Sequence, residues 1–192
     1  MPGAVLATLR SDPRMADLVD RHESVTVEPA EHEFQRLVVS IVTQSISTAA
    51  ARSLRADLFD AFDGVITPAA VLGRDVEMIA EIVGGQKAEY IRNVARAYAD
   101  GEVSAAAFAD RGDEAVVDRL TEIRGVGRWT AEMYLMFILG REDVFPIGDL
   151  AVRRGVKNVY GELSREEMIE KSADWQPYRS YATKYIWAEY ES

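Results

Sequence analysis

The sequence predicts an all-α protein, on three observations. Apolar residues recur at three-to-four spacing through Phe34, Leu37, Val38, Ile41, Val42 and Ile46, and again through Leu54, Leu58 and Phe62. That is the period of a helix with one buried face. Strand-like alternation is nearly absent, and capping residues fall where such helices would stop and start. The Gly84-Gly85 pair ends a helix begun near Glu77, and Lys87 to Tyr98 resumes one with Tyr90, Ile91, Val94 and Ala95 inward. Asp110 or Asp113 caps the next, which runs through Val116, Val117 and Leu120 to Ile123. After Arg124-Gly125-Val126-Gly127 an amphipathic helix runs from about Arg128 to Leu139. Glu166 to Ala173 and Tyr178 to Glu189 close the chain. The expectation is nine or ten helices in a single compact unit, since no repeat, low-complexity stretch or long linker interrupts the pattern.

Bulk properties bound the function. At 192 residues and 48% hydrophobic composition the chain can bury one sizeable core or two small lobes. No segment approaches about 18 uninterrupted apolar residues, so no membrane partner is expected. Met1 to Asp12 lacks the pattern of a secretory signal, and an intracellular location is expected. With no cysteine, disulfides, a thiolate nucleophile and a cysteine-held iron–sulfur cluster are excluded. The formal charge of −10 runs against a nucleic-acid partner, because polyanion binders usually carry a basic patch. Yet of 22 cationic residues only four are Lys (Lys87, Lys157, Lys171, Lys184) and the other 18 are Arg, the better bidentate phosphate ligand. An acidic, lysine-poor surface also suits a halophile's cytoplasm, where salt screens self-repulsion.

The sharpest motif is Leu120-Thr121-Glu122-Ile123-Arg124-Gly125-Val126-Gly127-Arg128-Trp129-Thr130-Ala131, a helix, a Gly-x-Gly turn and a second helix. Glycines let the backbone come close to a phosphate, and the second helix's first N–H groups favour an anion. Taken alone, Gly-x-Gly is explained as well by a plain glycine-capped turn. A dinucleotide fingerprint fails, because no strand precedes the turn and Thr130 stands where a third glycine is required. Twenty residues beyond Trp129 comes Asp149, within Asp143-Val144-Phe145-Pro146-Ile147-Gly148-Asp149-Leu150. Pro146 and Gly148 break the preceding helix, and Asp149 falls at the N-cap of the next.

Together these segments resemble the helix-hairpin-helix, Gly/Pro-rich loop and aspartate signature of the DNA glycosylase superfamily that includes endonuclease III and 3-methyladenine DNA glycosylase II. Ser40-Ile41-Val42-Thr43-Gln44-Ser45-Ile46-Ser47 resembles the family's Gln-x-x-Ser helix start. Gln86-Lys87-Ala88-Glu89-Tyr90-Ile91 is similar to another family element, and Trp175-Gln176-Pro177-Tyr178 through Trp187 to the C-terminal signature of the alkyl-base branch. The resemblance runs from about Phe34 to Trp187. It implies a two-lobed form without the β-rich domain of larger relatives. One lobe would span about 30–145, with the hairpin at 114–139, and the other the N-terminal segment and about 146–192.

The resemblance also implies the chemistry. Bifunctional members carry a Schiff-base lysine in the hairpin's second helix, where this chain has Trp129. Hydrolysis without strand cleavage is therefore expected, on alkylated purines such as 3-methyladenine and 7-methylguanine in double-stranded DNA, by a monomer at the nucleoid. Asp149 is the expected catalytic carboxylate, opposing the charge that develops on the sugar. Trp129 and Trp187 match aromatic positions of the base pocket, Tyr134 and Tyr181 are candidate neighbours, and Met133 and Leu150 stand where some relatives have tyrosines. Gly125, Gly127 and Thr130 would donate backbone N–H groups to phosphate, with Arg124 and Arg128 as added cations. The carbonyls of Thr121, Ile123 and Val126 would hold a structural Na⁺ or K⁺, and no cofactor is expected for catalysis.

Gln44, Ser45 and Ile46 form the loop expected to fill the stack vacated by a flipped base. The wedge position is Ser45, a small side chain for that task, with Ile46 as a substitute. His22 and His32 match no ligand set and are expected at the surface. Two rival readings remain open: a glycosylase for hypoxanthine or uracil, and a non-catalytic helix-hairpin-helix DNA-binding protein, which needs the hairpin but neither the aspartate nor the aromatic residues.

Overall fold

The computed structural model describes residues 1–46 and 48–192, and among these every regular element is helical. There are thirteen α-helices and one 3-10 turn among the described residues, more than the nine or ten expected. The additions are α1 (Gly3–Arg10) and α2 (Pro13–Arg21) ahead of the first strong periodic run, and short helices later in the chain. Helix α2 is set by its start: Pro13 opens it, and the Asp12 side chain accepts from the Arg14 and Met15 amides at 3.0 and 3.4 Å.

The chain divides into two units, Pro29–Leu139 and a discontinuous one made of Met1–Glu28 with Gly140–Ser192. The boundary falls earlier than the expected 145/146. The reason is that 141–144 is tied to the last helix. Ser180 Oγ donates to the Arg141 carbonyl (2.7 Å) and accepts from the Val144 amide (3.0 Å), and the Ser180 amide donates to the Glu142 carbonyl (2.9 Å). Arg179 Nε and Nη2 grip the two Asp143 oxygens at 2.7 and 3.0 Å.

The continuous unit holds α3 (Glu33–Thr43), α4 (Thr48–Ala61), α5 (Pro68–Leu72), α6 (Val76–Val83), α7 (Gly85–Ala99), α8 (Ala105–Phe108), α9 (Asp113–Thr121) and α10 (Arg128–Phe137). Helix α3 packs against α4, α7 and α10. It buries Phe34, Leu37, Val38, Ile41 and Val42, the residues whose spacing predicts it. Tyr134 lies in this core, with no exposed surface, edge-on to Phe108 (centroids 5.7 Å) and accepting the Tyr98 hydroxyl at 3.3 Å.

The discontinuous unit adds α11 (Leu150–Tyr160), α12 (Arg165–Ser172), the 3-10 turn Ala173–Trp175 and α13 (Arg179–Glu191) to α1 and α2. Helices α11 and α13 meet at Gly155, where a Cβ would lie 2.5 Å from Ile186 Cγ2 and 2.6 Å from its carbonyl oxygen. Only hydrogen fits there. Trp175 is fully buried against Phe145 and Tyr160 (centroids 5.8 Å each), and its indole N–H donates to Asp12 Oδ2 at 3.2 Å. The same oxygen takes the Tyr160 hydroxyl and the Lys171 ammonium, both at 2.8 Å. Burial alone would raise the Asp12 carboxyl, but the hydrogen bonds from Lys171, Tyr160 and Trp175 outweigh it and hold it below its ordinary value. His32 is exposed, whereas His22 is half-buried on Glu189, Nε2 to Oε2 2.8 Å, rather than a plain surface residue.

Candidate functional site

The hairpin forms as α9, a turn over 122–127, and α10. Gly125 has φ +104°, and a Cβ on it would stand 2.2 Å from Tyr90 Cγ, so both backbone and packing require glycine. Gly127 is different: a Cβ there would meet nothing within 4 Å. Its bare, exposed backbone precedes α10 and supplies no side-chain cap to the first turn. The first turn of a helix carries N–H groups without intrahelical acceptors and a positive dipole end, which is the chemistry of an anion seat. Arg124 is exposed beside it.

The turn is tied to its own unit at two carbonyls, Arg124 O accepting Asn93 Nδ2 (3.0 Å) and Gly125 O accepting Gln44 Nε2 (3.1 Å). Neither is one of the three expected to hold a cation. Of those, Ile123 O accepts the Val126 amide at 2.9 Å and, like any carbonyl, keeps a second lone pair.

After α3 the chain turns sharply. Ser45 is exposed with φ +57°, and Ile46 is half-buried. Ser47, the last residue of the Gln-x-x-Ser element, lies outside the described residues. Lys87 Nζ closes the end of α3 by donating to Val42 O (2.5 Å) and Gln44 O (3.1 Å). Burial lowers the Lys87 ammonium below its ordinary value.

In the other unit, Pro146 to Asp149 forms a tight loop, the Asp149 amide donating to Pro146 O at 2.9 Å. Asp149 is the N-cap of α11, its Oδ1 accepting the Val152 amide at 2.9 Å and the Trp187 indole N–H at 3.4 Å. Arg153 Nη1 reaches back to the carbonyls of Gly148 (2.6 Å), Ile147 (3.0 Å) and Asp149 (3.2 Å). One guanidinium thus fixes the loop that presents the carboxylate. Sequence reasoning missed Arg153, although an Arg one turn into a helix is placed to reach the carbonyls before it.

The structure sets Trp187 on Asp149, with Leu150 next in the chain and 52% exposed. Several expectations are corrected. Tyr134 is core, with no surface to offer a base, and Met133 is 3% exposed. Tyr181 is buried, with its hydroxyl on Glu142 Oε1 at 2.8 Å; burial first, then that carboxylate, push it up to about 12. The Thr130 side chain, 1% exposed, serves inward, its Oγ1 accepting Gln44 Nε2 at 2.7 Å, which leaves the expectation for its backbone N–H as it stands. Gln44 consequently spends its amide donors inside the protein, leaving only an acceptor, which a phosphate repels. Arg128 is engaged by both oxygens of Glu114 (2.6 and 3.1 Å) and by Glu132 Oε1 (3.2 Å). The Glu114 hydrogen bond, chiefly, raises its pKa. Trp129, in the first turn of α10, is half-exposed. No helix among the described residues is long and apolar enough to cross a membrane.

The family described as HhH-GPD superfamily base excision DNA repair protein matches residues 38–177, which include the hairpin and Asp149. The crystal structure of a DNA-3-methyladenine glycosidase from Bacillus halodurans superposes with a TM-score of 0.82 at 30% identity, covering 100% of this chain and 90% of that one. DNA-3-methyladenine glycosylase 1 of Schizosaccharomyces pombe (strain 972 / ATCC 24843) is 26% identical over 185 residues, 91% of this chain and 79% of that protein. DNA-3-methyladenine glycosylase of Bacillus subtilis (strain 168) is 30% identical over 174 residues, 80% of this chain. The chain spans only 56% of the length of that Bacillus subtilis relative.

Proposed function

Since the chain belongs to the HhH-GPD superfamily of base excision DNA repair proteins, we propose that it is a monofunctional DNA glycosylase. It hydrolyses the N-glycosidic bond of alkylated purines, 3-methyladenine and 7-methylguanine, after flipping them from double-stranded DNA, and it acts as a monomer. The observation that carries this reading is Asp149, a half-buried carboxylate held at a helix N-terminus by the Val152 amide and the Trp187 indole. An N-cap alone needs no tryptophan on its carboxylate. The names of the relatives support the substrate class.

The chemistry follows from charge. As the bond between C1′ and the base nitrogen breaks, its electron pair leaves with the base and positive charge grows on the sugar. A fixed carboxylate stabilises that charge. Water then bonds to C1′, and its proton passes to Asp149 and on to solvent. An alkylated purine already carries positive charge, so the departing electron pair neutralises it. The Trp187 ring face favours such a cationic base by about 0.5–2 kcal/mol. The hairpin position of the Schiff-base lysine is held by Trp129, which has no amine, so the strand stays intact and an abasic site is left.

At the hairpin, Gly127 and the start of α10 seat a backbone phosphate. The carbonyls of Thr121, Ile123 and Val126 offer the hard oxygen donors that Na⁺ or K⁺ takes, and an ion there would bridge turn and phosphate without entering the reaction. Release of labelled 3-methyladenine from methylated duplex DNA tests the proposal. No release above background would identify a non-catalytic DNA-binding protein. Preferential release of hypoxanthine or uracil would move the substrate away from alkylated purines.

A further inference from the structure

One face of α7 holds two turns of the continuous unit, the one after α3 and that of the hairpin. Lys87, Tyr90 and Asn93 follow at intervals of three, the spacing that puts side chains on one side of a helix. Lys87 donates to Val42 O and Gln44 O at the end of α3. The Tyr90 ring fills the space a Gly125 side chain would take, and Asn93 donates to Arg124 O. A direct link closes the circuit, because Gln44 donates to Gly125 O (3.1 Å) and to the buried Thr130 hydroxyl (2.7 Å). The exposed Ser45, in its left-handed conformation, therefore stands one residue from a side chain bonded to the phosphate-binding turn.

We propose that Lys87 and Gln44 are positioning residues for base extrusion: they lock the Ser45–Ile46 tip and the Gly125–Gly127 turn into one rigid body. A phosphate gripped by the hairpin and a stack entered by the tip then lie at a fixed separation. Binding at the first drives insertion at the second. This also answers the small wedge. A serine can displace a base when its backbone cannot recoil, and the donors on Val42 O, Gln44 O and Gly125 O prevent that recoil. Neither Lys87 nor Gln44 touches the reacting atoms. The proposal rests on the glycosylase reading for its substrate but makes a separate prediction about DNA.

The test compares the same alkylated purine in two settings. Extrusion is costly from a paired, stacked duplex and cheap from an unpaired bulge. Lys87→Met and Gln44→Met should each slow single-turnover base release about tenfold or more on the paired lesion, with KM changed less than about threefold, and should recover to within about twofold of parent on the bulge. Lys87→Arg, which keeps the donors, should restore the paired rate. Equal loss on both substrates, or no loss on either, overturns the proposal. Thermal unfolding of each variant identifies one that fails to fold, and Gln44→Met then stands in for Lys87→Met or the reverse.

A second readout needs no chemistry. A duplex with 2-aminopurine beside an abasic site should brighten when the parent protein binds and unstacks it, and much less with either Met variant at saturating protein. If the parent releases no base from any substrate, the glycosylase reading fails while this fluorescence comparison still decides the coupling. No brightening by the parent, or equal brightening by the variants, sinks it.

Discussion

The indole nitrogen of Trp187 and the carboxylate of Asp149 share one oxygen with the first turn of α11: Oδ1 takes the indole N–H at 3.4 Å and the Val152 amide at 2.9 Å. The cap and the proposed chemistry are thus separable by substitution. Asn caps a helix as well as Asp does. Asp149→Asn should therefore leave the melting temperature nearly unchanged and lesion-DNA binding intact while abolishing base release. Near-normal turnover in that variant would remove Asp149 from the mechanism. Asp149→Ala loses the cap as well, at about 1 kcal/mol.

The loop that carries Asp149 is fastened by Arg153 across three carbonyls. Arg153→Ala should lower kcat about tenfold or more with little change in KM, because the loop loosens while the hairpin proposed to bind DNA is untouched. Arg153→Lys, with one rotatable ammonium, should recover part of the rate. Steady-state kinetics on methylated duplex DNA measures both.

Gly125→Ala puts a methyl group 2.2 Å from Tyr90 Cγ on a backbone at φ +104°. Strain and clash together should destabilise the protein by about 2–4 kcal/mol, read from urea unfolding. Gly127→Ala meets nothing within 4 Å and should leave stability within about 0.5 kcal/mol. It should instead weaken affinity for an abasic-site duplex, since the added methyl obstructs the phosphate rather than the fold.

Arg128 is occupied by a bidentate contact with Glu114, a pair more than half exposed on both sides. A phosphate competes with that carboxylate for the guanidinium. Glu114→Gln should tighten duplex binding at low salt and steepen the salt dependence by about one released counterion. Unchanged affinity and slope would place Arg128 outside the DNA footprint. The same titration carried to molar salt asks whether the acidic composition belongs to a protein that works there.

Asp12 links pH to the discontinuous unit. Its folded carboxyl lies below the ordinary 3.8, so its contribution is full above that value and is lost as pH falls through the lowered folded one. Lys171 is raised above its ordinary 10.5 by Asp12 and Asp174 despite burial, so its share is full below 10.5 and fades as pH rises through the raised value. Asp12→Ala removes the acceptor of Trp175, Tyr160 and Lys171 together with the N-cap of α2, and should cost about 3–5 kcal/mol at neutral pH. Its acid-unfolding curve should be flatter than the parent's below pH 3.8.

The elements with a full apolar period were legible: Phe34 through Val42 lie inward in α3 as their spacing demands. The hairpin and the Asp149 cap were legible because glycine, proline and aspartate act on the backbone next to them. Helices α1 and α2 escaped notice because they are short, and Asp12 finds Tyr160 and Trp175 some 150 positions away. Tyr134 was misplaced because helical periodicity marks an inward face without saying whether core or cleft lies beneath it. Gln44 read as a DNA contact for a related reason: its partners, Gly125 and Thr130, are 81 and 86 residues distant. Where a polar donor spends its hydrogen bonds is decided by tertiary neighbours, which local pattern does not encode.

The discontinuity of one unit sets an order of assembly. Asp12 is 163 residues from Trp175 and 148 from Tyr160, with all of Pro29–Leu139 between them. On the ribosome the first two helices leave the exit tunnel long before the side chains that cover Met15 and Leu18 are synthesised. The intervening unit, contiguous in sequence, can consolidate first. Helices α1 and α2, made before that unit, are covered only after it, and until then their apolar faces are open to chaperones and to other nascent chains.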